Sequence, residues 1–171
     1  MWEELAEAAE RESPLWAEAL RPAGEREREP VFSRLADAAY AVAIETIYEG
    51  YLVHYGEARL FAPADAHTAL LLGDYLYAHG LVRVAELGEV EPVGDLAELI
   101  SLCAQLRGEG AEGDGVVWAA TAALIGRGGL GEARAALRDG GDARPLLDLA
   151  ERAAGAEAVE SALVAHARRL R

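Results

Sequence analysis

The sequence predicts an all-α fold, a single helical bundle spanning residues 1–171, and three observations lead there. Apolar residues recur at helical spacing through most of the chain, and no stretch alternates with the period of a strand. The composition is that of a helix former, with 37 Ala and 22 Glu, and all 16 basic residues are Arg. The length suits one domain able to bury a core.

The elements follow from caps and breakers. Trp2 to about Arg11 forms a first helix. Ser13 then offers a capping hydroxyl and Pro14 a first helical position, so a second short helix runs to Leu20. Arg21 to Pro30, with two prolines, a glycine and alternating Glu and Arg, is a solvated connector. From Val31 to about Phe61 the pattern predicts one long helix with two apolar stripes. After Pro63, with Asp65 as a cap, the segment to Leu87 is apolar on nearly every face and predicts a buried central helix. Pro92 to Gly94 read as a turn, and Asp95 as the cap of a helix ending at Arg107-Gly108. Gly108 to Gly115 is a glycine-rich acidic break. Val116–Ile125, Leu130–Leu137, Arg144–Ala154 and Ala156–Leu170 complete the bundle.

Charge narrows the function classes. Thirty acidic against 16 basic residues give a formal charge of -14, which repels nucleic acid and anionic bilayers unless basic residues cluster, and none do. Cys103 stands alone, so neither an intramolecular disulfide nor a cysteine zinc cage can form. The apolar runs are short and broken by charge. No transmembrane segment or signal peptide is expected, and the cytoplasm is the expected location.

Polar residues inside the two apolar central helices are the candidates for function. His54 stands three residues before Glu57, a spacing that makes them neighbours on one helix, and it shares a face with Ile47 and Tyr51. Asp74 falls on the apolar line Leu70, Asp74, Tyr77, Leu81, where a buried carboxylate must be paired. His79 lies with Leu72, Leu76 and Arg83. Tyr40, Tyr48, Tyr51, Tyr55, Tyr75 and Tyr77 crowd into the same two helices and could line an apolar cavity. The pocket or interface candidates are therefore Tyr51, His54, Tyr55, Glu57, Asp74, Tyr77 and His79. No phosphate-binding loop, zinc signature, nucleophile elbow or di-iron set is present, so no catalytic, metal or cofactor residue is assigned.

The segment Ile44 to Glu109 resembles the trans-polyprenyl diphosphate synthases. Gly73, Asp74, Tyr75 and Leu76 match that family's G-D-Y/F-L signature, and His54 matches the histidine that precedes its first aspartate-rich motif. The positions that follow His54 depart from the family, being Tyr55, Gly56, Glu57, Ala58 and Arg59. No Asp-Asp pair and no Lys occur anywhere, and the chain is far shorter than catalytic members. The carboxylates that hold Mg²⁺ against a diphosphate in that family are thus missing. The sequence looks most like the small, non-catalytic component of two-component synthases such as the bacterial heptaprenyl diphosphate synthase. That resemblance implies a shortened isoprenoid-synthase fold and a catalytically silent subunit. It also implies a catalytic prenyl synthase as partner, an influence on product chain length, and a homodimer when the partner is absent. A stand-alone protein with an isoprenoid ligand is the alternative, and a small all-α enzyme using His54, Glu57 and Asp74 is a third.

Overall fold

Ser13 closes one helix and opens the next. In the computed structural model, which describes residues 1–170, α1 (Trp2–Glu12) and α2 (Pro14–Ala19) meet there, and the Ser13 hydroxyl accepts the Leu15 N–H at 3.2 Å. The connector after Leu20 holds a single 3₁₀ turn, Ala23–Glu25. Seven more helices follow among the described residues: α3 (Ala41–Tyr55), α4 (Ala66–Ala85), α5 (Val90–Glu109), α6 (Asp114–Leu124), α7 (Gly131–Gly140), α8 (Arg144–Ala154) and α9 (Ala156–Ala167). The fold is all-α, as expected.

The long helix expected from Val31 to Phe61 is shorter at both ends. Residues 31–40 form two 3₁₀ turns, because the N–H groups of Val31 and Ser33 bond to the Glu45 carboxylate at 2.8 and 2.9 Å and fold this stretch back onto α3. Beyond Tyr55 the chain is extended. Glu57 N–H bonds to Arg169 O at 2.7 Å, and Ala62 N–H to Ala19 O at 2.7 Å, so this segment is pinned between the C-terminal tail and the end of α2.

α4 begins at the expected cap. Asp65 Oδ1 accepts the N–H groups of His67 and Thr68, both at 2.9 Å, and so caps the helix. The turn expected at Pro92–Gly94 is instead the first turn of α5, where a proline sacrifices no intrahelical bond. Asp95 consequently caps nothing; its carboxylate accepts from Arg134 Nη1 (3.1 Å) and Gly126 N–H (2.9 Å), tying α5 to α7. α5 ends at Gly110 in the left-handed region, which an L-residue enters only with strain.

The central buried helix is α3 and not α4. Every residue from Ala43 to Leu52 is buried, whereas Leu70, Leu71 and Val82 of α4 are exposed. The reason is packing. α3 packs on α4 and the folded-back 31–40 segment, and its Tyr48 and Tyr51 rings meet Trp118 of α6 and His166 of α9, while α4 lies at the edge with α5 beside it.

α3 and α4 run antiparallel and approach closely along a glycine seam. A Cβ at Gly50 would stand 2.9 Å from the Gly73 carbonyl and 3.0 Å from Leu76 Cβ, and one at Gly80 would stand 2.4 Å from Ile47. Gly50→Ala is expected to destabilise the protein by about 1 kcal/mol net. The overpacking cost of about 1–3 kcal/mol exceeds the roughly 1 kcal/mol gained in helix propensity. Urea unfolding measures the change, and a stabilised variant would show that the seam is loose.

Candidate functional site

α3 carries two carboxylates into the interior. Glu45 and Glu49, one helical turn apart, are both fully buried, and between them lies the equally buried Arg59 from the extended segment. Arg59 Nε donates to Glu49 Oε2 at 2.9 Å, and Nη1 donates to Glu45 Oε2 at 2.5 Å and to Glu29 O at 3.0 Å. Glu49 Oε1 accepts the Leu60 N–H at 2.7 Å. The guanidinium lies over the rings of Trp2 (4.6 Å) and Tyr48 (5.0 Å). All charges here are internally satisfied, so the cluster is architectural.

A second polar cluster joins α3, α5, α6 and α9. Asp114 is its hub. Tyr51 Oη donates to Asp114 Oδ2, Arg107 Nη2 donates to the same oxygen at 2.7 Å, and Arg107 Nε donates to Tyr51 Oη at 2.8 Å. His166 Nε2 stands 3.4 Å from Asp114 Oδ2, and its Nδ1 lies 3.0 Å from the Tyr48 hydroxyl. Burial alone would raise the Asp114 carboxyl. Polar contacts from His166 and Tyr51 and the charge of Arg107 outweigh burial and hold it far below the usual carboxylate range. Burial pushes the Tyr48 and Tyr51 phenols well above theirs, the Asp114 bond adding to the effect at Tyr51. Carboxylate, imidazole and hydroxyl stand in line as they do in acyl-transfer sites, but Tyr48 is fully buried, so a substrate has no access to its oxygen.

Five of the seven sequence candidates come together beside this hub. The Tyr51 and Tyr55 rings lie 5.1 Å apart, His54 lies 5.6 Å from Tyr55 and 5.2 Å from Tyr77, and His54 Nε2 stands 3.3 Å from Asp74 Oδ1. The imidazole sits directly on Gly73, where a Cβ would come within 2.3 Å of Nε2. Burial lowers the His54 pKa, opposed by Asp74. Asp74 itself is exposed, its side chain 66 % accessible, contrary to the expectation of a buried carboxylate, because it stands at the solvent edge of the α3–α4 contact, where it meets His54 from outside.

Glu57 and His79 lie elsewhere. α3 stops at Tyr55, so the helical neighbour relation expected between His54 and Glu57 never forms, and Glu57 borders a groove with Glu27, Arg168 and Arg169. His79 stacks on Tyr75 at 5.6 Å, and Tyr75 stacks on Trp16 of α2 at 5.6 Å. Burial and the charge of Arg83 lower its pKa.

The positions aligned with the synthase aspartate-rich motif do not suit Mg²⁺. Tyr55 packs on Tyr51, Glu57 lies at a different groove, and Arg59 is a cation locked between two carboxylates. Among the described residues no three His, Cys, Asp or Glu side chains converge as a metal site would require. The space that an apolar core ligand would occupy holds rings. Phe32 stacks on Trp118 at 5.4 Å, and Tyr48 meets Trp118 edge-on at 5.1 Å. No described helix is long and apolar enough to cross a membrane.

The residues that the sequence reading passed over are Glu45, Glu49, Arg107, Asp114 and His166. The i, i+4 pair Glu45 and Glu49 inside an unbroken apolar run was a legible signal. Asp114, by contrast, is one of several acids in a glycine-rich stretch, and nothing local separates it from Glu109 or Glu112. No protein-family model, curated protein or solved structure matches the chain.

Two expectations follow from these clusters. Arg59→Met leaves two buried carboxylates facing each other and should cost about 3–5 kcal/mol in urea unfolding; a loss below about 1 kcal/mol would mean that water reaches the pair. Asp114 has a depressed folded pKa, so its contribution is present above the ordinary carboxylate value of about 3.9 and is lost as pH falls toward the folded value. The stability gap between wild type and Asp114→Asn should hold from about pH 7 to about pH 5 and shrink below about pH 4. Paired unfolding curves across that range measure it, and a gap that widens in acid contradicts the assignment.

Proposed function

We propose that this chain is a non-catalytic, prenyl-synthase-like subunit that docks on a catalytic prenyl diphosphate synthase and influences the length of its product. The observation that carries this reading is the outer face of α4, the helix that bears the Gly73-Asp74-Tyr75-Leu76 signature. Leu70, Leu71 and Val82 are 54 %, 56 % and 55 % exposed there, with the exposed Ala78 between them on the same side. Burying such a side chain is worth about 1.5–3 kcal/mol, so an unbroken helix that leaves three of them in water is suited to being covered by another subunit.

Charge supports a partner of different composition over a second copy. Asp74 lies within the face, between Leu70 and Ala78, Asp65 and Glu86 stand at its two ends, and Arg83 of the same helix is already paired with Glu4 of α1. A partner surface that is apolar at its centre and basic at its edge fits. The synthase-like segment supplies the identity of that partner, and the positions that would hold Mg²⁺ in a catalytic member carry residues that do not suit it.

The purified chain alone is expected to show no Mg²⁺-dependent condensation of allylic and homoallylic diphosphates. Adding the catalytic subunit from the same host is expected to make activity appear or to change product length. Leu71→Glu should weaken that association by about a hundredfold without unfolding the chain, since the side chain is already exposed. Robust condensation by the isolated chain, or a synthase whose activity and products ignore this protein, would overturn the proposal.

A further inference from the structure

Arg21 is the anomaly in the charge map. Six other arginines that are at least partly buried, Arg26, Arg59, Arg83, Arg107, Arg134 and Arg169, each have a carboxylate within 4.0 Å. Arg21 is partly buried too, and no carboxylate of the described residues pairs with it, in a chain with 30 acids and 16 bases. Its one side-chain hydrogen bond among those residues runs from Nε to Ala58 O at 3.2 Å. That bond orients the guanidinium and leaves both Nη groups available.

The guanidinium lines a groove of about 620 Å³ between the end of α3, the extended segment and the start of α4. The His54 ring is a second polar wall. Leu52, Phe61, Pro63 and Leu70 form apolar walls. Asp65, the one side-chain carboxylate among the described residues that line the groove, is already engaged by His67 N–H, Thr68 N–H and Thr68 Oγ1, so it competes little for Arg21. A partly desolvated, oriented cation without a counter-ion among the described residues is suited to a forked anionic group, and the adjoining apolar wall to a short hydrocarbon.

We propose that this groove binds a small amphipathic anion, a phosphate or carboxylate bearing an apolar chain, with Arg21 as the anion contact and Leu70 as part of the wall under the chain. The site is separate from the outer α4 face except at Leu70, and it needs no partner subunit. A phosphate ester and a fatty carboxylate share this chemistry.

Calorimetric titration of the full chain with octyl phosphate, octanoate and inorganic phosphate tests the proposal. At least one of the two octyl compounds is expected to bind about tenfold or more tighter than inorganic phosphate, from the hydrocarbon it buries. Tighter binding of octyl phosphate points to a phosphoryl headgroup, and tighter binding of octanoate to a carboxylate; either supports the site. Arg21→Gln is expected to weaken binding about tenfold or more, the loss of a charge-assisted contact, while Arg152→Gln, at an exposed arginine on α8, leaves it unchanged. Should Arg21→Gln unfold the chain, Leu70→Glu provides the second reading, since it places a like charge at an already exposed position and should weaken binding likewise. Failure of both octyl compounds to bind, binding insensitive to these substitutions, or inorganic phosphate binding as tightly as the octyl compounds would overturn the proposal. None of these results depends on whether a catalytic synthase associates with the chain.

Discussion

Two carboxylates taken wholly out of water on one helix are an expensive feature, tolerable only where a cation and hydrogen-bond donors meet them. Glu45 and Glu49 receive Arg59 and the N–H groups of Val31, Ser33 and Leu60, all from segments outside α3. Much of the chain's path follows from this need. The stretch before α3 folds back instead of continuing the helix, and the chain after Tyr55 runs extended so that Arg59 reaches both acids. The short bridges to Ala19 and Arg169 then hold that extended segment in place. The arrangement converts a liability of the sequence into a register for the two segments that flank α3.

The glycine seam between α3 and α4 gives the Gly73-Asp74-Tyr75-Leu76 stretch a packing rationale. Gly73 is the floor on which the His54 imidazole lies, and its carbonyl faces Gly50. His54 and Gly73 are therefore coupled sterically. Asp74 meets the same imidazole from the solvent side. Close helix contact along this seam holds the hairpin together.

The Asp114 hub acts at a neighbouring face of α3, through Tyr48 and Tyr51. It joins residues from four helices across more than half the length of the chain, and it sits at the first turn of α6, where the helix dipole favours a carboxylate. Phe32, Tyr48, Trp118 and His166 pack around it as one aromatic block. One side of α3 is thus filled by rings and another is closed by α4.

What the sequence alone determined is what a single helical turn can encode. Apolar spacing marked the helices, Ser13 and Asp65 announced their caps, and Arg144–Ala154 was legible to the residue, because caps and periodicity are local interactions. Tertiary structure decided which helix is central, that Asp74 faces solvent, that Glu57 leaves the face of His54, and that Arg59, Asp114 and His166 are partnered. Those outcomes depend on donors and walls brought from tens of residues away. A Leu-rich stretch such as Leu70 to Leu72 looks alike in sequence whether a neighbour covers it or not. Burial is set by the surroundings, and they exist only once the chain has folded.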